Sequence, residues 1–258
     1  MPFFHLYGLL IGLAIVAALG LIEYQARRHR VDAAVIWSAG WWVLLSGVVG
    51  ARFYHVATDF QFYQADWLGI VRLWQGGLGI IGGVAGGMLG LILWAKVRQQ
   101  SWGFIKTWLD LSVFGLPLAQ AIGRLGNYFN QELYGLPTTL PWGIEISKQF
   151  RPVEYAHLTN FHPLFAYEAL LMILFGLVIW LIDLKQQLNI GTGRLFLIYV
   201  GYYAMIRFGL EFLRINRHTV WWILDINQIV VLILMIICVC FLEGLSFFER
   251  VVFEPVKL

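Results

Sequence analysis

Seven apolar runs, each close to twenty residues, recur along this chain at about 5–23, 35–57, 76–95, 105–123, 165–183, 195–213 and 222–243. A bilayer core about 30 Å thick is crossed by a helix of roughly 20 residues. Such runs leave few alternatives to an all-α polytopic membrane protein, because only helices and closed barrels satisfy their backbone polar groups inside lipid. Composition agrees: 60% of the 258 residues are hydrophobic and 13% are charged, against about a quarter charged in an ordinary soluble domain. The Trp41–Trp42 and Trp221–Trp222 pairs are expected at helix ends, where amphipathic rings favour the interface. Cys238 and Cys240 lie two apart in an apolar run, on different helix faces, and are expected to be packing residues. The net charge of +3 carries no nucleic-acid signature.

The chain is expected to be one integral membrane domain, residues 1–258. No Lys or Arg precedes the first apolar run, and Arg27, Arg28 and Arg30 follow it, which reads as an uncleaved first helix rather than a signal peptide. With seven alternating helices, those arginines, Lys96, Arg98, Lys106, Lys185, Arg194, Arg250 and Lys257 all fall on one side. The positive-inside rule makes that side cytoplasmic, with the N-terminus outside and the C-terminus inside. The outer side also carries Arg52, Arg72, Arg124, Lys148, Arg151, Arg207, Arg214 and Arg217. Arginines at membrane depth usually face a bundle interior and an anionic partner. The connection 124–164 has four prolines between short apolar patches and reads as a small folded extracytoplasmic head. The third run is Gly-rich. The series Gly79, Gly83, Gly87 permits close helix approach, while the Gly76–Gly77 and Gly82–Gly83 pairs could instead leave helical geometry beside a ligand.

Three polar clusters interrupt the apolar runs. Gly123 to Gly135 interleaves three glycines with Arg124, Asn127, Asn130 and Glu132. A solvated loop is the plain alternative to a polar binding site. In the sixth run, Tyr203, Arg207, Glu211 and Arg214 are spaced four, four and three, and share one helix face. An intrahelical Arg207–Glu211 pair would merely neutralise itself. The two arginines flanking one glutamate, with Arg124 added, instead leave a positive excess suited to a phosphate. The third cluster is His162, Pro163, Tyr167 and Glu168 at the start of the fifth run. Glu168 lies inside that run and needs a partner, and a capping role for His162 is as open as a catalytic one. Tyr7 places a phenol near the outer surface of the first run, where an interface tyrosine is also common. On the expected topology these clusters converge in the outer half of the bilayer. No His/Cys set has zinc-ligand spacing, so no metal is expected, nor any other cofactor, and a Ser–His–Asp hydrolase has no nucleophile elbow to support it.

The run Gly123 to Gly135 resembles the signature of bacterial prolipoprotein diacylglyceryl transferases, G-R-x-G-N-[FY]-x-N-x-E-x-x-G. Tyr7–Gly8, Gly76–Gly77 with Gly82–Gly83, His162–Pro163 with Tyr167–Glu168, and Arg207 to Arg214 extend the likeness in order over nearly the whole chain. The resemblance implies seven membrane helices with an extracytoplasmic head, in the bacterial inner membrane. It implies transfer of the diacylglyceryl group of phosphatidylglycerol to the lipobox cysteine of a prolipoprotein, giving a thioether and glycerol phosphate. It implies that Arg124 and Arg207 hold the lipid headgroup, and that Tyr7, Asn127, Glu132, Gly135, Tyr203 and Glu211 serve the site. Asn130, His162, Glu168 and Arg214 are further candidates for contact with substrate. Many members have a histidine where this chain has Ile81, so the general base stays open. A lipid or solute transporter, or a non-catalytic lipid-binding relative, would use the same arginines. The absence of internal repeats speaks against the transporter.

Overall fold

Helices α1 (Phe3–Arg28), α2 (Ala33–Thr58), α3 (Gln61–Gln64), α4 (Ile80–Val97), α5 (Trp102–Ser112), α6 (Leu116–Asn130), α7 (Leu164–Gln186), α8 (Arg194–Glu211) and α9 (Ile226–Phe253) carry most of the chain. Two small antiparallel pairs join them: β1 (Ile144–Glu145) with β2 (Asn160–Phe161), and β3 (Thr219–Trp221) with β4 (Leu224–Asp225). The computed structural model describes residues 3–64, 66–186, 188–215, 219–221 and 224–253, with the backbone alone at 3–7, 75, 186, 219–221 and 245–253. The side chains of Tyr7, Trp221 and Arg250 therefore lie outside the described residues, as do Trp222, Arg217 and Lys257 entirely. Among the described residues, five helices are long and apolar enough to cross a membrane: Gly8–Arg28, Ala33–Thr58, Ile80–Val97, Leu164–Lys185 and Ile226–Gly244. The chain divides into two compact units, one of residues 22–111 and 190–192, the other of residues 1–21, 112–189 and 193–258.

In the first unit, α2 begins at Asp32, whose carboxylate accepts the Ala34 N–H at 2.9 Å and satisfies an otherwise orphaned helix donor. The α2–α4 contact is built on small residues. A Cβ at Gly82 would meet the Gly50 carbonyl at 2.2 Å, one at Gly86 the Ser46 carbonyl at 2.4 Å, and one at Gly90 the Trp42 carbonyl at 2.7 Å. The helix crowded by its neighbour is thus what forms at Gly82–Gly83, but the tightest series is Gly82, Gly86, Gly90, displaced from the one read in the sequence. Of the two glycine pairs, Gly76–Gly77 is the one that leaves helical geometry, at φ 85° and 75°. Trp41 and Trp42 sit in the middle of α2, half-exposed, and not at a helix end. The apolar stretch simply runs on for two further turns on their N-terminal side.

The expected fourth span, 105–123, is divided: α5 ends at Ser112 and α6, in the second unit, starts at Leu116. Pro117 occupies the first turn of α6, where its missing N–H costs nothing but where it bars a continuous helix from α5. Gly115 is required at the break, since a Cβ there would meet the Ala18 carbonyl at 2.5 Å. Residues 131–163 form a folded cap on α6 and α7. Phe161 and Ile146 are its buried centre. Pro137 bridges to Phe161, and the Arg151 guanidinium donates to the carbonyls of Ile146 at 2.6 Å and Ala156 at 3.3 Å. Tyr134 donates to the Phe150 carbonyl; burial pushes its phenol above the ordinary range, opposed by the Arg151 cation.

Candidate functional site

The 123–135 signature is the end of α6 and the turn that leaves it. Gln131 and Leu133 both take left-handed backbone (φ 52° and 54°), which costs a non-glycine residue about 1–2 kcal/mol each. Three contacts hold the turn: the Glu132 N–H on the Asn127 carbonyl (2.8 Å), the Gln131 amide oxygen accepting from the Ser147 N–H (2.7 Å), and the Leu133 carbonyl accepting from the Phe165 N–H (3.0 Å). Gly135 then pairs with Arg214 at the end of α8 and donates its N–H to the His162 carbonyl at 2.8 Å. A Cβ at Gly135 would meet the Leu213 carbonyl at 2.5 Å. The glycine is needed because the signature turn, α7 and the end of α8 meet there by backbone alone.

That meeting assembles an ion ladder. Arg124 Nη2 lies 2.6 Å from Glu168 Oε1, and Arg207 Nη1 lies 3.2 Å from Glu168 Oε2. Arg207 Nη2 lies 3.5 Å from Glu211 Oε2, and Arg214 Nη1 lies 2.9 Å from Glu211 Oε1. Asn227 Nδ2 donates to the same Glu211 oxygen at 3.1 Å. Glu168 is fully buried and Glu211 is 2% exposed, whereas the side chains of Arg124 and Arg207 keep 25% and 20% of their surface. Two buried carboxylates thus fix three arginines that remain open at one edge. With three cations and two anions the ladder carries a surplus of one positive charge (3 − 2 = +1). Guanidinium groups present five donors each, so those not spent on carboxylates are free to take an anion's oxygens.

The expected stripe forms in part: Tyr203, Arg207 and Glu211 lie on α8, which ends at Glu211, whereas Arg214 follows in the bridge to Gly135, and the intrahelical Arg207–Glu211 pair is only one rung of the ladder. Glu168, set one turn into α7, is the carboxylate that Arg124 and Arg207 share. Glu132 touches no arginine: it is exposed and accepts from Asn127 Nδ2 at 3.4 Å, while Asn127 Oδ1 accepts from Arg124 at 3.3 Å. Asn130 ends α6, half-buried. Tyr203 stands beside Arg124, with Glu168 and Arg207 also within electrostatic reach. Asn227 was not legible as a site residue, since it enters only through the fold of α9 onto α8.

Next to the ladder, His162 Nδ1 meets the Tyr167 hydroxyl at 3.0 Å, and Trp142 Nε1–H donates to that hydroxyl at 2.8 Å. Indole only donates. The Tyr167 hydroxyl keeps its hydrogen and a second lone pair, so it can donate to His162 Nδ1 or accept from it. An apolar cleft of about 460 Å³ opens beside this chain, lined by Tyr128, Trp142, Ile144, Pro163, Phe165, Ala166, Tyr167 and Leu170.

The unit of 22–111 and 190–192 holds a separate polar knot. Arg52 is buried, and its guanidinium donates to the carbonyls of Gly69, Ile70 (2.8 Å), Gly76 (2.5 Å) and Gly77 (2.9 Å) while stacking 5.1 Å from the Tyr63 ring. Its partner is backbone, not an anion. His55 Nδ1 meets the Tyr63 hydroxyl at 2.9 Å. Ile81 lies exposed in the first turn of α4. Asp110 is buried in α5 and accepts the Gly191 N–H at 2.9 Å, a structural role.

The family profile described as prolipoprotein diacylglyceryl transferase matches residues 3–243. Proteins named phosphatidylglycerol–prolipoprotein diacylglyceryl transferase align along most of the chain. The Cutibacterium acnes protein is 41% identical over 235 residues, 88% of this chain and 77% of that protein. The Synechococcus elongatus protein is 39% identical over 213 residues, 81% of this chain and 72% of that protein. The Thermosynechococcus vestitus protein is 35% identical over 211 residues, covering 81% and 77%.

Proposed function

Because the chain belongs to the prolipoprotein diacylglyceryl transferase family, we propose that it transfers the diacylglyceryl group of phosphatidylglycerol to the lipobox cysteine of a prolipoprotein, in the bacterial inner membrane. The observation that carries this reading is the joint hold of Arg124, from the signature run, and Arg207 on one buried carboxylate, Glu168. An arginine pair fixed at its inner edge and open at its outer edge suits a phosphodiester, which guanidinium planes grip bidentately.

The reaction is a displacement at the glyceryl carbon that bears the phosphate. A C–S bond forms, the C–O bond breaks, and glycerol phosphate leaves with the bonding pair. The thiol first loses its proton, which ends on the released glycerol phosphate or in solvent. Its ordinary pKa is about 8.5, so only a few per cent is thiolate at neutral pH. The positive surplus of the ladder stabilises that thiolate. Arg124 and Arg207 stabilise the charge that gathers on the leaving phosphate, a contact whose removal costs about 2.7–4 kcal/mol in comparable oxyanion sites. Glu168 and Glu211 position the guanidinium groups. Asn127, Glu132, Asn130 and Gly135 brace the turn that carries Arg124, and Tyr203 flanks it. Tyr7, His162 and Arg214 are assigned to substrate contact. Membrane lipid and the lipobox precursor are the two partners.

In this reading the chain crosses the membrane seven times, α6 and α8 adding to the five long apolar helices. The extracytoplasmic head is residues 131–163, shorter than the expected 124–164 because 124–130 are helical in α6 and Leu164 starts α7; the N-terminus is outside and the C-terminus in the cytoplasm. Purified protein, phosphatidylglycerol and a lipobox peptide test the activity directly: the peptide gains the mass of one diacylglyceryl group. An unmodified peptide, with the lipid intact and the protein folded, refutes it.

A further inference from the structure

Helix α6 presents Gln120, Arg124 and Asn127 at steps of four and three, one inward stripe ending at the signature turn. Among the described residues, three buried side-chain polar atoms have no protein partner: Gln25 Nε2, Gln120 Oε1 and Arg124 Nε. Two of the three are neighbours on this stripe. Their polarities are opposite, since an amide oxygen accepts and the guanidinium Nε–H donates. A buried polar atom left unpaired costs about 1–3 kcal/mol, so two such atoms one turn apart, beside the ion ladder, point to a ligand group that serves both. A hydroxyl donates and accepts at once. A phosphate oxygen only accepts and an ammonium only donates. Turning the Gln120 amide over puts an N–H where the oxygen was, and a hydroxyl still pairs with it.

We propose that Gln120 reads a hydroxyl on the headgroup of the anionic lipid, with Arg124 Nε as its second contact, and so selects a glycerol headgroup over other phosphodiesters of equal charge. This rests on the transfer reaction proposed above. The phosphate lies on the outer edge of Arg124 and Arg207, and the hydroxyl lies one turn up α6. A hydroxyl-free headgroup leaves both buried atoms unpaired. Binding sites of this kind reject an analogue lacking the hydroxyl far more strongly than apolar pockets reject an added methylene.

The test compares phosphatidylglycerol with phosphatidylpropanol, which keeps the phosphodiester and the three-carbon headgroup but carries no hydroxyl. Wild-type protein, Gln120→Leu and Gln120→Met are assayed with a lipobox peptide, each after a melting measurement. Gln120→Met, the closest unbranched apolar match, stands in where the leucine variant does not fold. In wild type kcat/KM favours phosphatidylglycerol by about ten- to a hundredfold, the usual consequence of stranding buried hydrogen-bonding groups. In the variants only the Arg124 contact remains, and that ratio falls to about three- to tenfold. The change appears as a higher KM for phosphatidylglycerol, with kcat and the propanol lipid little affected. A merely structural glutamine lowers both lipids alike, and that result overturns the inference. So does a wild-type ratio near one, or a ratio that the variants preserve. Absence of thioether from wild type with either lipid sinks the transfer reaction itself, whereas an intact transfer with an unchanged ratio sinks only the role of Gln120.

Discussion

Replacing Glu168 by Gln separates positioning from bulk charge. The substitution nearly preserves shape and removes one negative charge, taking the ladder's surplus from one positive charge to two. If attraction of an anionic lipid were all the site did, the variant would work at least as well as wild type. The geometry says otherwise. The carboxylate is fully buried and accepts from Arg124 at 2.6 Å and from Arg207 at 3.2 Å, one oxygen each. Glutamine keeps one acceptor and turns an NH2 toward the other guanidinium, so one contact weakens and the other becomes repulsive. Breaking a buried pair costs about 3–5 kcal/mol; since the arginines are partly exposed, the lower end applies, about 3 kcal/mol. For a chain of this size that is a melting shift of about 6–12 °C. The displaced guanidinium groups lose the in-line geometry, and an error of about 1 Å costs on the order of a hundredfold in rate. Thermal unfolding in detergent and peptide lipidation by mass spectrometry measure the two effects. KM for phosphatidylglycerol stays level or falls while kcat drops about a hundredfold. Turnover at or above the wild-type rate in the folded variant refutes the positioning argument.

Other substitutions test other contacts. Gly135→Ala forces a Cβ to within 2.5 Å of the Leu213 carbonyl; it lowers stability by about 1–3 kcal/mol and activity with it, and an unchanged melt counts against the backbone junction. Gly86→Leu drives a side chain into the Ser46 carbonyl and separates α2 from α4, which shows as poor recovery of folded protein after extraction; normal yield speaks against the tight glycine register. Arg52→Met strands carbonyls of Gly69, Ile70, Gly76 and Gly77, so limited proteolysis near 64–79 accelerates, and equal cleavage rates contradict the proposed knot. Cys238→Ala with Cys240→Ala leaves turnover within about twofold, because one thiol packs on a helix face and the other points outward; total loss in a folded double variant reopens an enzyme-thiol intermediate.

Periodicity made the long helices legible, because apolar runs near twenty residues have few other uses. It also placed Tyr203, Arg207 and Glu211 together on α8, although the helix ends before Arg214. The same reasoning failed wherever a partner comes from another element. Nothing local to α7 says that Glu168 is shared by an arginine from α6 and one from α8, although a carboxylate inside an apolar run demands a cation. Arg52 looked like a ligand for an anion; carbonyls of a loop 17 to 25 residues downstream satisfy it instead. The division of 105–123 was signalled by Pro117 close after Gly115, but hydropathy alone runs straight through both. The glycine series in α4 offered overlapping registers, and only the position of Gly50 and Ser46 on α2 selects Gly82, Gly86 and Gly90. Asn227 and the unpaired edge of Gln120 depend on packing that no motif encodes.

The most direct test of the phosphate grip is a product balance in one vessel. Phosphatidylglycerol and a lipobox peptide are incubated with wild-type protein, Arg124→Gln or Arg207→Gln, and the thioether peptide and free glycerol phosphate are counted together. The account predicts equal amounts of the two products from wild type, and neither from either folded variant. Glycerol phosphate without thioether, or wild-type yields from both variants, contradicts it.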